Sequence, residues 1–159
     1  MGNPPSFTSV TRDTYPTDKT FSIQFIKNVL ISIASACVHL HIVCGLMHSD
    51  LYAHNILTKS DGTALLSDFG GASFTSAIRS SNEKLKNVFN NYQIKNLEKL
   101  EVRAFGCLIE ELVERVDELS KSDHYNSINK LISIKDKCMN EVVDNRPDFN
   151  EIFELLNMN

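Results

Sequence analysis

Apolar residues from Phe21 to about Val43 recur at helical spacing: Phe21, Phe25, Ile26, Val29, Leu30, Ile33, Cys37 and Leu40. That period predicts one long, mostly buried helix, opened by a cap at Asp18 or Thr20 and ended at Gly45. Met47 reads as a short strand. Two short apolar runs follow, Ile56-Leu57 and Ala64 to Leu66, with Asp61-Gly62 between them. An Asp-Gly pair between such runs signals a hairpin. The helical period returns weakly at Leu85, Val88, Phe89 and Tyr92, predicting a short helix within 78–95. It returns strongly at Val102, Phe105, Leu108, Ile109, Leu112 and Val116. Gly106 interrupts that helix at a cost of about 1 kcal/mol against Ala, tolerated where another backbone packs close. Residues 117–123 read as a polar loop. A further amphipathic helix runs from His124 to about Met139, through Ile128, Leu131, Ile132, Ile134 and Cys138. Pro147 and Asp148 suit the start of a last helix.

The chemistry lies between the first helix and the second strong one. His48, Asp50 and Asn55 form His-x-Asp-x-x-x-x-Asn, and Asp68, Phe69 and Gly70 form Asp-Phe-Gly. The hairpin would bring Asn55 and Asp68 to the same end of its two strands, with Asp50 on the loop just before. Asn and Asp oxygens suit a hard cation such as Mg²⁺, which takes few protein ligands. A further carboxylate beside such a cation can orient a hydroxyl and accept its proton, the arrangement used for phosphoryl transfer from ATP.

Both motifs, in this order and spacing, resemble the C-terminal lobe of the protein kinases. The resemblance implies Asp50 as catalytic base, Asn55 and Asp68 as Mg²⁺ ligands, and Leu57 in the floor under the adenine ring of ATP. It extends from about residue 20 to 157. Val38-His39-Leu40-His41 stands where the kinases carry a His-Leu-His-like helix end, and both histidines read as structural. The stretch Gly71 to Ala77 matches the start of the activation segment. Glu101 stands where the family has an Asp that hydrogen-bonds the catalytic loop, and it is one methylene longer. Arg146-Pro147-Asp148-Phe149 resembles the step opening the family's last helix. There the Arg pairs with a Glu in Ala-Pro-Glu, a motif missing from this sequence, so Glu83 or Glu98 is the substitute to look for. The wording around Asp50 and Glu101 is most similar to bacterial kinases associated with leucine-rich repeats, although no such repeats occur here.

The fold class expected is therefore mainly α with a small β-hairpin, a kinase-like C-terminal lobe at 18–159 with the N-terminal lobe absent. Residues 1–17, rich in Pro, Ser and Thr, read as a connector, the former hinge region. The loose myristoylation pattern of Gly2 and Ser6 is too permissive to weigh against that. There is no Gly-x-Gly-x-x-Gly, no Val-Ala-x-Lys and no helix Glu to pair with that Lys. Those parts cover and position the phosphates, so a truncated or split kinase is expected, with a separate chain supplying the other lobe. Ser49 replaces the Arg that often precedes the catalytic Asp, which argues against control by phosphorylation of the activation segment. Tyr52 and His54 stand where a Lys or Arg usually steadies the phosphate; His54 does so weakly when protonated.

Composition narrows the partners. At 159 residues the chain can hold one domain with a real core. Its net charge of −4 and its interspersed charges give no sign of nucleic-acid binding. No apolar run of about eighteen residues is apparent, so no membrane helix is expected. Cys37, Cys44, Cys107 and Cys138 form no Cys-x-x-Cys pair and read as buried free thiols in a reducing, cytoplasmic setting. The leading function is transfer of the ATP γ-phosphoryl group to a protein hydroxyl. The alternatives are a pseudokinase or interaction fragment without activity, or, lower, a small-molecule phosphotransferase.

Overall fold

The computed structural model describes residues 8–9, 19–74 and 86–158, with the backbone alone at 8–9, 86–94 and 119–120. Most of the 1–17 connector, the small-residue stretch beyond Phe74, and the side chains of Leu85, Val88, Phe89 and Tyr92 lie outside these described residues.

The first helix, α1, runs Ile23–Val38 and continues as a π-helical turn, His39–Cys44, closed by Gly45 in the left-handed region at φ 59°. Its cap is Ser22, not Asp18 or Thr20: the Ser22 hydroxyl accepts from the Phe25 amide at 3.2 Å. Ile23, Ile26, Val29, Leu30, Ile33, Ala34 and Cys37 are buried and form one face. The helical stretch Ile23–Cys44 has a mean hydropathy of 1.6 and is long and apolar enough to cross a bilayer, contrary to expectation. Its buried stripe is nevertheless that of a core helix, lying on the last helix and on the hairpin.

α2 spans Lys86–Glu114 without a break. The short helix and the central helix expected separately are thus one element. No Pro or Gly stands between Lys86 and Gly106 to divide them. Its buried residues Val102, Phe105, Leu108, Ile109 and Leu112 lie on the same core. Gly106 sits under α4, which spans Tyr125–Cys138. A Cβ on Gly106 would come within 2.6 Å of Met139 Cγ and 3.1 Å of Cys138 Cβ. The glycine is what lets the two helices close on each other. Residues 118–123 form a short helix, α3, instead of the polar loop expected. Its six residues include a single apolar one, Leu119, and it is held in part by Lys121 Nζ to Glu118 Oε1 at 2.8 Å, so apolar periodicity had nothing to reveal. α5, Phe149–Asn157, opens with a capping box: Asp148 accepts from the Glu151 amide and Glu151 accepts from the Asp148 amide.

The hairpin is present. β3 (Ile56–Thr58) pairs antiparallel with β4 (Ala64–Leu66), Ile56 opposite Leu66. A strand not foreseen joins it: β1, Thr8–Ser9, within the expected connector, pairs with Thr58 and Leu57. A second small sheet pairs β2 (Leu46–Met47) with β5 (Ser73–Phe74). The hairpin turn is fastened to α1, because Asn28 Nδ2 donates to the Asp61 carbonyl at 3.0 Å. Gly62 has φ +83°, and a Cβ there would meet Asn28 Cβ at 2.9 Å and the Phe25 carbonyl oxygen at 3.0 Å. Both the turn and its docking therefore require glycine.

Gly62→Ala should destabilise the fold by about 1–3 kcal/mol, measured as a lower urea midpoint at unchanged slope. A midpoint equal to that of the parent would show that the turn does not dock on α1 as described.

Candidate functional site

β2 leads into a loop that reverses sharply at Ser49, a non-glycine residue in the left-handed region at φ 66°. Such a conformation persists only where its surroundings hold it. They do so here through Glu101, 4% exposed on α2. One carboxylate oxygen, Oε1, accepts from the Ser49 amide. The other, Oε2, accepts from His41 Nε2 at 2.5 Å. The extra methylene of Glu therefore still reaches the loop backbone. His41 comes from the π-helical turn, and its ring stands edge-on to Phe149 with centroids 5.1 Å apart. Its Nδ1 lies 3.8 Å from Glu98 Oε1, within ion-pair range. Burial opposes charge on His41, but its hydrogen bond to Glu101 and then the nearby Glu98 carboxylate outweigh it and push its pKa up to about 9. The same pairing holds the Glu98 carboxyl below its usual range. Below the pair, burial and then the Glu101 charge push the Cys37 thiol well up.

His48, fully buried, donates Nε2–H to the Ser67 carbonyl at 2.9 Å and stands edge-on to Phe69, 4.8 Å between centroids. This ties the loop to the far end of the hairpin. Asn55 ends a single 3-10 turn, Ala53–Asn55, just before β3. Its Nδ2 donates to the Asp50 carbonyl at 2.8 Å and to Asp50 Oδ2 at 2.9 Å. Both amide hydrogens are thus used, and Oδ1 is left to accept from solvent or a cation. The Asn55 carbonyl in turn accepts from the Ser67 amide at 2.7 Å, which sets Asp68 one residue beyond the end of the ladder. Asp68 is exposed, in the left-handed region at φ 58°, and its Oδ1 accepts from the Gly70 amide at 3.1 Å. Gly71 returns to the loop: a Cβ on it would lie 3.6 Å from Asp50 Cβ.

The structure therefore joins Asp50 directly to Asn55 and places Asp68 at the adjoining end of the hairpin. Leu57 sits in the middle of β3, opposite Leu65, which is 49% exposed. Alternation puts both on the side away from buried Ile56. No cluster of three or more His, Cys, Asp or Glu side chains suited to a metal occurs among the described residues. An oxygen set of one amide and one carboxylate nevertheless suits Mg²⁺, which keeps most of its waters. Arg146 departs from expectation. Its Nε and NH1 donate to the carbonyls of Asn140 and Lys99, at 2.9 and 3.0 Å. Glu98, one of the two acids considered for it, faces His41 instead, and Glu83 lies outside the described residues. Cys44 and Cys107 are exposed rather than buried; Cys37 and Cys138 are buried, and all four are free.

A solved structure from Toxoplasma, described as a divergent kinase lacking the glycine-rich loop that regulates membrane ultrastructure of the parasitophorous vacuole, superposes with a TM-score of 0.67. It is 18% identical and covers 98% of this chain and 50% of its own. The chain has a protein-kinase-like fold. Among curated proteins it is similar to the serine/threonine-protein kinase ppk11 of Schizosaccharomyces pombe, 41% identical over 64 residues. It is also similar to the human 2-5A-dependent ribonuclease, 48% identical over 46 residues. These matches span 40% and 29% of this kinase-like chain, and only 20% and 6% of the two relatives. No protein-family model matches it.

The raised pKa of His41 predicts a pH dependence. A histidine that binds its proton more tightly when folded contributes stability that is complete below its unfolded pKa near 6.5. That contribution is lost as pH rises through about 9. Thermal melts from pH 6 to 10 should therefore show stability falling across that window by on the order of 3 kcal/mol, and His41→Gln should flatten the fall. An unchanged slope in the variant would remove His41 as its source.

Proposed function

We propose that this chain is the C-terminal lobe of a protein kinase, serving transfer of the ATP γ-phosphoryl group to a protein hydroxyl. The observation that carries the reading is the lock between Asn55 and Asp50. Spending both amide hydrogens on Asp50 turns Asn55 Oδ1 outward, at the hairpin end where Asp68 stands. Asn55 Oδ1 and Asp68 Oδ2, neither of which accepts a hydrogen bond among the described residues, would hold Mg²⁺. When bound, that ion supplies neutralising charge to the nucleotide phosphates. Asp50 Oδ1, clear of Asn55, is the oxygen to orient the incoming hydroxyl and take its proton. Leu57 and Leu65 offer the apolar surface for the adenine ring. Ppk11, described as a serine/threonine-protein kinase, supports a protein as acceptor.

The sequence carries no glycine-rich loop and no Val-Ala-x-Lys. On this reading those parts come from another segment or chain. The same feature favours a second reading, a kinase-like interaction module that binds partners without phosphoryl transfer. The Toxoplasma protein is described as a kinase that lacks the loop, so the loop alone does not decide between them. The free thiols support a cytoplasmic setting.

Calorimetric titration with Mg²⁺ and ATP, followed by a labelled-phosphate transfer assay, tests the proposal. Saturable Mg²⁺-dependent binding and transfer are expected, with Asp68→Ala lowering transfer at least roughly a hundredfold. Nucleotide binding without transfer would favour the second reading. Indifference of nucleotide binding to Asp68→Ala would overturn the assignment of the site.

A further inference from the structure

A cavity of about 530 Å³ opens between the first half of α2, the end of α4, the turn at Asp144 to Pro147 and one side of α5 from Glu151 to its cap Met158. It shares no lining residue with Asp50, Asn55 or Asp68. Its size is that of a small-molecule site. What sets it apart is its charge. Lys99 and Arg146 line it, and each is 7% exposed. Charges buried to that extent are ordinarily matched by an opposite charge. Here they are not. Lys99 Nζ donates to the Arg146 carbonyl at 2.5 Å, and Arg146 NH1 donates back to the Lys99 carbonyl at 3.0 Å. Arg146 Nε takes a third carbonyl, that of Asn140. Carbonyls satisfy the hydrogens without neutralising the charges, and no hydrogen bond or ion pair among the described residues engages Arg146 NH2.

The acids around the cavity are largely committed. Asp144 is paired to Lys95 at 2.8 Å, and Glu151 accepts from the Asp148 amide in the capping box. Glu154 also lines the cavity, as does Lys137 at the end of α4, an exposed cation with no ion pair among the described residues. The lining thus holds four cations, Lys95, Lys99, Lys137 and Arg146, against three acids, Asp144, Glu151 and Glu154, and one positive charge is in excess.

We propose that this cavity binds a small molecule bearing a phosphate or carboxylate group, whose oxyanion engages Lys99 and Arg146 and offsets the excess positive charge while Lys137 closes over it from the rim. The guanidinium presents NH2 beside the two N–H groups already spent, and the Lys99 ammonium can turn a further hydrogen to the anion. The site is separate from the nucleotide site and does not depend on its activity.

The experiment titrates the intact chain with sodium phosphate and, in a second arm, sodium succinate, each against sodium chloride at matched ionic strength. Saturable heat in the phosphate arm identifies a phosphate ligand, and in the succinate arm a carboxylate ligand. Either result supports the site, and at a hundredfold excess over Kd the melting temperature should rise roughly 5 °C. Lys137→Gln, a substitution at an exposed position, should weaken binding about tenfold while leaving the anion-free melting temperature unchanged. No saturation in either arm beyond chloride would overturn the proposal. So would binding seen only in Glu83→Gln, since the cavity would then belong to a carboxylate of the chain itself.

Discussion

A single buried carboxylate, that of Glu101, holds the loop that carries Asp50. Its two oxygens engage two different parts of the chain: the amide of Ser49 and the imidazole of His41. Without the first, Ser49 has little reason to remain at φ 66°, a conformation that costs of order 1–3 kcal/mol. Without the second, a carboxylate 4% exposed would face the core uncompensated, and an unpaired buried charge is among the most expensive features a fold can contain. The three groups form one unit, and α1, α2 and the loop are fixed relative to each other through it.

The rest of the site is assembled on that fixed point by backbone geometry. His48 ties the loop to Ser67, Asn55 ties it to Asp50, and the hairpin ladder carries the link on to Asp68. The hairpin cannot drift, because its turn is docked on α1 through Asn28 and the space that Gly62 leaves open. Polar side chains far apart in sequence are thus held by short links to three elements with packed apolar faces. The outward oxygens of Asn55 and Asp68 are those that the links leave unused.

Much of this was readable in the residues, and what was missed has physical reasons. Apolar periodicity located α1, the core of α2 and α4, because each buries a regular face, while Pro147-Asp148 located the start of α5 and Asp61-Gly62 the hairpin. Periodicity is silent on polar backbone structure, so the polar helix at 118–123 and the strand at Thr8–Ser9 went unseen. It also divided α2, because residues 86–100 lack a continuous apolar stripe although nothing breaks the helix. Asp50 and Asn55 were legible as neighbours from spacing alone. The partners of His41 and Arg146 were not: sixty residues separate His41 from Glu101, and no local signal reports such a contact. The acid at position 101 was a hint, since a charge amid Val102, Phe105 and Leu108 must find a partner. The π-helical turn that aims His41 at it has no comparable mark in the sequence. Cys44 and Cys107 were misjudged because an apolar neighbourhood in sequence does not say which side of a helix faces the core.

The central claim, that a buried carboxylate grips the loop through the Ser49 amide, is tested most directly by residue-resolved hydrogen exchange of that one amide. Although Ser49 lies in an exposed loop, its N–H should exchange as slowly as the amides of α2 around Phe105, opening only when the core opens. Exchange of the Ser49 amide at the rate of an unprotected loop, with α2 still protected, would contradict the account.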